Sequence, residues 1–184
     1  MKDSIVFAVK LFVICAVASI VLAMTYQATA PVIAERKEQE TLAAYKAVYP
    51  DAEELKPVEK KEVLNDNVVD VQEAIAGGQT VGYIFNVESP SGYDGPVNFV
   101  LGVKKDGTVV GFQVIAQTET SGFGAQVAEP AYAKRVDGTI VSGDMTAEEQ
   151  AGKGAIPKIS GASKTTKAMV GGFNAVSQSL SALQ

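Results

Sequence analysis

Between Leu11 and Ile33 the sequence carries no charged residue. About twenty apolar residues are enough to cross the hydrocarbon core of a bilayer as a helix, so this run commits one end of the chain to a membrane. The apolar character begins at Ile5 and reaches Met24 with Lys10 and Ser19 as its polar interruptions. Lys10 lies close enough to one end for its stem to follow the helix while its ammonium reaches the headgroups. The same stretch, with Lys2 and Lys10 ahead of it and Ala28-Thr29-Ala30 after it, also has the form of a cleavable signal peptide. Two features favour a retained anchor: Pro31 directly after the cut point, and a run longer than the roughly 7 to 15 residues of a signal core. Lys2 and Lys10 on one side and Arg36 and Lys37 on the other give little charge bias, but a long following domain translocates largely regardless of charge. The expectation is a cytoplasmic N-terminus and transmembrane anchor over residues 1–30 in the cell membrane, with the rest of the chain on the extracytoplasmic side. Cys15, inside the run, reads as a small buried hydrophobe.

What remains is acidic. Sixteen Lys and Arg against 21 Asp and Glu leave a net charge of −5 over 184 residues, and no basic stripe interleaved with aromatics follows a phosphate backbone, so nucleic acid is not an expected partner. The chain has no His and one Cys. That removes Ser-His-Asp and Cys-His catalysis, histidine zinc and haem sites, disulfides and iron–sulfur clusters. No metal site and no catalytic side chain is expected, and any redox chemistry must come from a bound organic cofactor.

Val32 to Tyr49 is rich in helix formers and is followed by Pro50, predicting a juxtamembrane helix over residues 31–50. The period then changes. Val68–Ala74 and Val81–Val87 around Gly77-Gly78, and Pro96–Val103 and Thr108–Ala116 around Lys105-Asp106-Gly107, read as strands of an antiparallel meander of about four. Beyond it, Gly124–Val136 reads as a short helix broken near Pro130, Thr146–Gln150 as a helical turn, and Thr166–Leu183 as a C-terminal helix. The predicted class is α+β, an antiparallel sheet with flanking helices, preceded by one transmembrane helix.

Ser160-Gly161-Ala162-Ser163-Lys164-Thr165-Thr166 places small residues and hydroxyls just before a helix, where free amides, the helix dipole and Lys164 and Lys167 would suit an anion. A plain N-cap by Ser163 or Thr165 fits the same letters. Glu119-Thr120-Ser121-Gly122-Phe123-Gly124 could let backbone and ring approach a flat ligand, or be an ordinary turn. Gly92-Tyr93-Asp94-Gly95-Pro96 reads as a turn, with a lid as the alternative.

Ser-Gly-Ala-Ser-x-Thr resembles the flavinylation motif of the FMN-binding domain family found in the G subunit of the Rnf complex and the C subunit of the sodium-pumping NADH:quinone reductase. Gly92–Pro96, Lys105–Gly111 and Glu119–Gly124 resemble the matching segments of that family in the same order. The family usually has Asp three residues before the first hydroxyl of the motif and Thr as its acceptor; here those positions hold Pro157 and Ser163. The resemblance implies that residues 51–184 form the FMN-binding domain and that Ser163 carries covalent FMN through a phosphoester. It implies a cofactor site of Ser160, Gly161, Ala162, Lys164, Thr165, Thr166, Glu119, Thr120, Gly122, Phe123 and Gly124 about it, with Thr165 and Thr166 as second choices of acceptor. It also implies an electron-carrying subunit of a membrane ion-translocating ferredoxin:NAD oxidoreductase, with other membrane and redox subunits as partners and a flavin transferase that attaches the cofactor from FAD. Two alternatives stand beside it: a component like the C subunit of the quinone reductase, and an anchored extracytoplasmic scaffold without flavin.

Overall fold

The computed structural model describes residues 2–183; Met1 and Gln184, at the ends of the expected anchor and domain, lie outside the described residues, as do the side chains of Lys2, Asp3, Ser4 and Lys61. The chain divides into two compact units, Met1–Glu40 and Thr41–Gln184. Helix α1 spans Lys2–Val48 and passes through Pro31, whose ring nitrogen has no hydrogen to donate to the carbonyl one turn back. In the first unit its large apolar side chains, from Ile5 to Ile33, are exposed. Among the described residues this is the one helix long and apolar enough to cross a membrane.

The second unit is built on a five-stranded antiparallel sheet in the order β1-β2-β3-β4-β5, with β1 Glu54–Pro57, β2 Val68–Ala76, β3 Gln79–Ser89, β4 Val97–Lys104 and β5 Val109–Ala116. Two tight turns set its register. Gly77 and Gly78 both have positive φ, +57° and +73°, the conformation a two-residue hairpin demands. At the other hairpin Gly107 turns with φ +89° and the Thr108 amide donates to Asp106 Oδ1 at 2.9 Å. The expected meander is present, with one strand more than expected: β1 is a short edge strand whose residues are mostly exposed, so it carries no alternating signal.

Both faces of the sheet are covered, which makes β4 buried almost throughout. On one face lie a 3₁₀ turn at Gly124–Ala128, helix α2 (Pro130–Val136) and helix α3 (Ser163–Leu183). Phe173 of α3 stacks on Phe99 of β4 with centroids 5.8 Å apart, and Phe112 of β5 joins them. A Cβ on Gly172 would stand 2.7 Å from the Phe99 ring, which explains a glycine inside this helix. On the opposite face the last turns of α1 bring Ala44, Tyr45 and Val48, with Tyr49 after them, against Ala74, Ile84 and Val100. Tyr45 donates to Asp70 Oδ2 at 2.5 Å.

Two expectations need correction. Thr146–Gln150 is not a helical turn: β6 (Thr146–Glu148) pairs in parallel with β7 (Ala155–Pro157). The Thr146 amide is taken by the Gly154 carbonyl and the Lys158 amide by Glu148, and this ladder outweighs the helix propensity of Ala, Glu and Gln. The C-terminal helix begins at Ser163, not Thr166.

A Cβ on Gly111 would press on the backbone of Val48, 2.6 Å from its Cα. Gly111→Ala should lower stability by about 1–3 kcal/mol, read as an earlier denaturant midpoint with an unchanged slope. Burial, reinforced at Tyr45 by Asp70, holds the Tyr45 and Tyr132 hydroxyls well above the ordinary phenol value of 10.0. The folded state thus keeps protons that the unfolded chain releases near that value. Their contribution to stability is complete below it and is lost as pH rises through the folded values. The denaturant midpoint should fall between about pH 9 and pH 11, and less in Tyr45→Phe.

Candidate functional site

Helix α3 is fixed along its length before its first turn is considered. Ser89 donates to the Ala168 carbonyl at 2.7 Å, Asn65 to the Ala175 carbonyl at 3.0 Å, and the Met145 amide to Asn174 Oδ1 at 2.6 Å. The turn leading into the helix is closed by Thr166, whose hydroxyl accepts from the Ile159 amide at 3.1 Å and donates to the Ala162 carbonyl at 3.0 Å. Gly161, at φ +77°, makes the bend. Ala162 then occupies the N-cap position, and alanine has no side-chain oxygen with which to cap. The amides of Ser163, Lys164 and Thr165 come before that of Thr166, which makes the first bond of the helix, to the Ala162 carbonyl, and such leading amides point out of the helix end. Ser163 and Lys164 are exposed there.

The loop after β5 comes up beside this helix end. Gly122, at φ +79°, lets it turn back on itself, and the Phe123 and Ala125 amides both donate to the Thr120 carbonyl. Glu119 is buried, 7% exposed, and its two oxygens face different segments. Oε1 accepts from the Tyr93 amide at 2.7 Å, and Oε2 accepts from the Thr165 hydroxyl at 2.5 Å. Lys164 Nζ lies 5.7 Å from the centroid of the Tyr93 ring. The Thr120 hydroxyl donates to Asp94 Oδ2 at 2.9 Å.

These three segments enclose a cleft of about 490 Å³, lined by Tyr93, Glu119, Thr120, Phe123, Gly124, Gly161, Ala162, Ser163, Lys164 and Thr165. That volume is within the range of small-molecule sites, roughly 300–1,000 Å³. Nine of the residues expected at a cofactor site are thus brought together, across more than forty positions of sequence. Ser160, Gly122 and Thr166 do not line the cleft. Tyr93 does, though it stands in the stretch read as a turn. Its ring is 64% exposed, as is Phe123 at 55%, so the cleft has two aromatic edges. Its place in Gly92-Tyr93-Asp94-Gly95, an exposed aromatic in a glycine-flanked turn, is the available sequence signal. Among the described residues no cluster of acids, Cys or His suits a metal.

The FMN-binding domain family matches residues 92–178, a span that contains every residue of the cleft. The chain is 31% identical over 178 residues to the G subunit of the Na(+)-translocating ferredoxin:NAD(+) oxidoreductase complex of Acetobacterium woodii, covering 89% of this chain and 85% of that one. The chain belongs to this family of oxidoreductase G subunits. Other members it resembles are the G subunit of the ion-translocating oxidoreductase complex of Methanosarcina acetivorans, 30% identical over 88% of this chain and 86% of that one, and the proton-translocating counterpart of Clostridium ljungdahlii, 27% identical over 89% and 84%. Among solved structures it is similar in fold to the C subunit of the Na(+)-translocating NADH-quinone reductase of Parabacteroides distasonis, with TM-score 0.55, 19% identity and coverage of 78% of this chain and 92% of that one. The NqrC protein of Shewanella oneidensis is similar in fold as well, with TM-score 0.53 and 16% identity over 74% of this chain and 73% of that one.

Pro157, the departure from the family motif, is the last residue of β7 and is buried, with its carbonyl accepting from Tyr132 at 2.9 Å. The backbone at this position is therefore tied into the fold whatever side chain the motif usually presents. Gly124 is the tightest point of the cleft wall: a Cβ there would meet Glu119 Oε2 and Thr165 Oγ1 together. Gly124→Ala should cost about 1–3 kcal/mol of stability, measured by denaturant unfolding, and loosen the Glu119–Gly124 loop in amide exchange.

Proposed function

We propose that the chain is the flavin-carrying subunit of a membrane ion-translocating ferredoxin:NAD oxidoreductase, with FMN joined to Ser163 by a phosphoester. Ser163 Oγ is the one hydroxyl in the first turn of α3 that is exposed on the cleft; Thr165 is buried against Glu119, and Thr166 is bonded within its own turn. This observation carries the reading. A phosphate on Ser163 would stand before the uncapped amides of α3, with Lys164 beside it, an arrangement that favours an anion. Attachment from FAD by a flavin transferase balances simply: Ser163 Oγ bonds to the flavin-side phosphorus, the pyrophosphate bond breaks, AMP leaves, and the hydroxyl proton is released.

FMN supplies the capacity to take up and release electrons. The chain's part is to hold and shield it. Gly161 leaves the space beside the Phe123 ring open and Gly124 leaves room for Glu119 and Thr165 to meet, while Tyr93 and Phe123 supply flat apolar edges for a ring. The apolar helix of the first unit anchors the domain, which we place on the extracytoplasmic side beside the membrane and redox subunits of the complex. A single span encloses no ion path, so translocation belongs to those partners.

Protein purified with its complex and denatured on a gel should fluoresce under ultraviolet light, and its mass should exceed that of the chain by one FMN less one water. Ser163→Ala should leave the band dark, while peptide fragmentation of the wild type places the nucleotide on Ser163. A dark wild-type band would return the chain to the class of anchored scaffolds. A label on Thr165 would mean that the Glu119 contact activates that hydroxyl instead of occupying it.

A further inference from the structure

Four observations converge on Glu119, and none of them involves the flavin. Both of its oxygens are taken by donors from other segments, the Tyr93 amide and the Thr165 hydroxyl. Two glycines make room for the same carboxylate: a Cβ on Gly92 would stand 2.5 Å from Oε1, and one on Gly124 would collide with Oε2. A carboxylate buried to 7% exposure is costly unless its oxygens are satisfied. Here, satisfying them ties the Tyr93 loop to the first turn of α3.

Resting on the reading above, we propose that Glu119 is a positioning residue that latches the Tyr93 loop to the start of α3 and commits Thr165, leaving Ser163 alone to receive the nucleotide. Glu119 does so without touching Ser163. Thr165 is two residues beyond Ser163 in the same turn, so holding its hydroxyl fixes the rotation of that turn and points Ser163 into the cleft. The Tyr93 amide on the other oxygen holds the loop across the opening, where its ring also meets Lys164. The contacts of Asp94 with Thr118 and Thr120 brace the same loop from its far side. Loss of the latch therefore disturbs two walls of the cleft at once.

The experiment has two independent readouts. In full-length protein made without the transferase, amide exchange at Tyr93 reports the latch with no flavin present. Glu119→Gln keeps the shape but turns one of the two accepting oxygens into an amide donor and takes the charge from the other, and should raise exchange at Tyr93 by about tenfold or more. In protein incubated with transferase and FAD, the initial rate of nucleotide attachment to Ser163 should fall by a similar factor in Glu119→Gln and in Thr165→Val. Thr165→Ser, which keeps the hydroxyl, should restore the rate; a plain loss of packing would instead leave Ser as slow as Val. If Glu119→Gln does not fold, the Val and Ser pair at Thr165 decides the matter alone. Wild-type attachment rates in Glu119→Gln or Thr165→Val, wild-type exchange at Tyr93 in Glu119→Gln, or a slow Thr165→Ser would each overturn the latch. None of these outcomes bears on whether Ser163 is the acceptor, which the wild-type and Ser163→Ala comparison settles separately.

Discussion

The stacking of Phe173 on Phe99, with Phe112 completing the cluster, is the contact from which the position of the cleft follows. Three aromatic rings from α3, β4 and β5 bury a large apolar area, and each such side chain contributes several kcal/mol to holding its element in place. Gly172 lets the helix come close enough for the stack to form. Once α3 is pinned at its middle and bonded at Ala168 and Ala175, its first turn has one place to be, beside the loop that leaves β5. The flavin chemistry proposed for this protein thus depends on an apolar contact well inside the domain.

The sheet itself is covered on both faces, and the two coverings differ in kind. The α3 face is filled by interlocking aromatic and aliphatic side chains. On the other face β4 and β5 present Gly102 and Gly111, and the backbone at the end of α1 lies directly on the strands, with Tyr45 fixed by Asp70 and Asn86. A seat made from backbone leaves little freedom for the helix end to slide or roll, since no side chain can change rotamer to make room.

Where the local code was strong, sequence and structure agree. Gly77, Gly78 and Gly107 mark both hairpins because their positive φ excludes most other residues, and Asp106 adds a side-chain acceptor for the Thr108 amide. The edge strand Glu54–Pro57 was not legible, since four residues with one half-buried apolar side chain, Leu55, and a closing proline are too few to carry a period-two signal. Thr146–Glu148 misled because its local propensity is helical while its partner strand lies several residues further on. At the site, the ordered motifs placed nine lining residues through family resemblance. The Glu119–Thr165 bond, spanning 46 positions, is a product of tertiary packing with no local trace.

The alanine at position 162 has one further consequence. Helices ordinarily begin with a residue that ties down the first amides, and replacing such a residue by alanine costs about 0.5–2 kcal/mol. Here no side chain ties down the leading amides of α3 at the edge of the cleft, and the turn is held from within by Thr165 and Thr166. A phosphate esterified one residue further on would do the work of the missing cap. Under the attachment proposed above, the bond that loads the cofactor would also finish the helix.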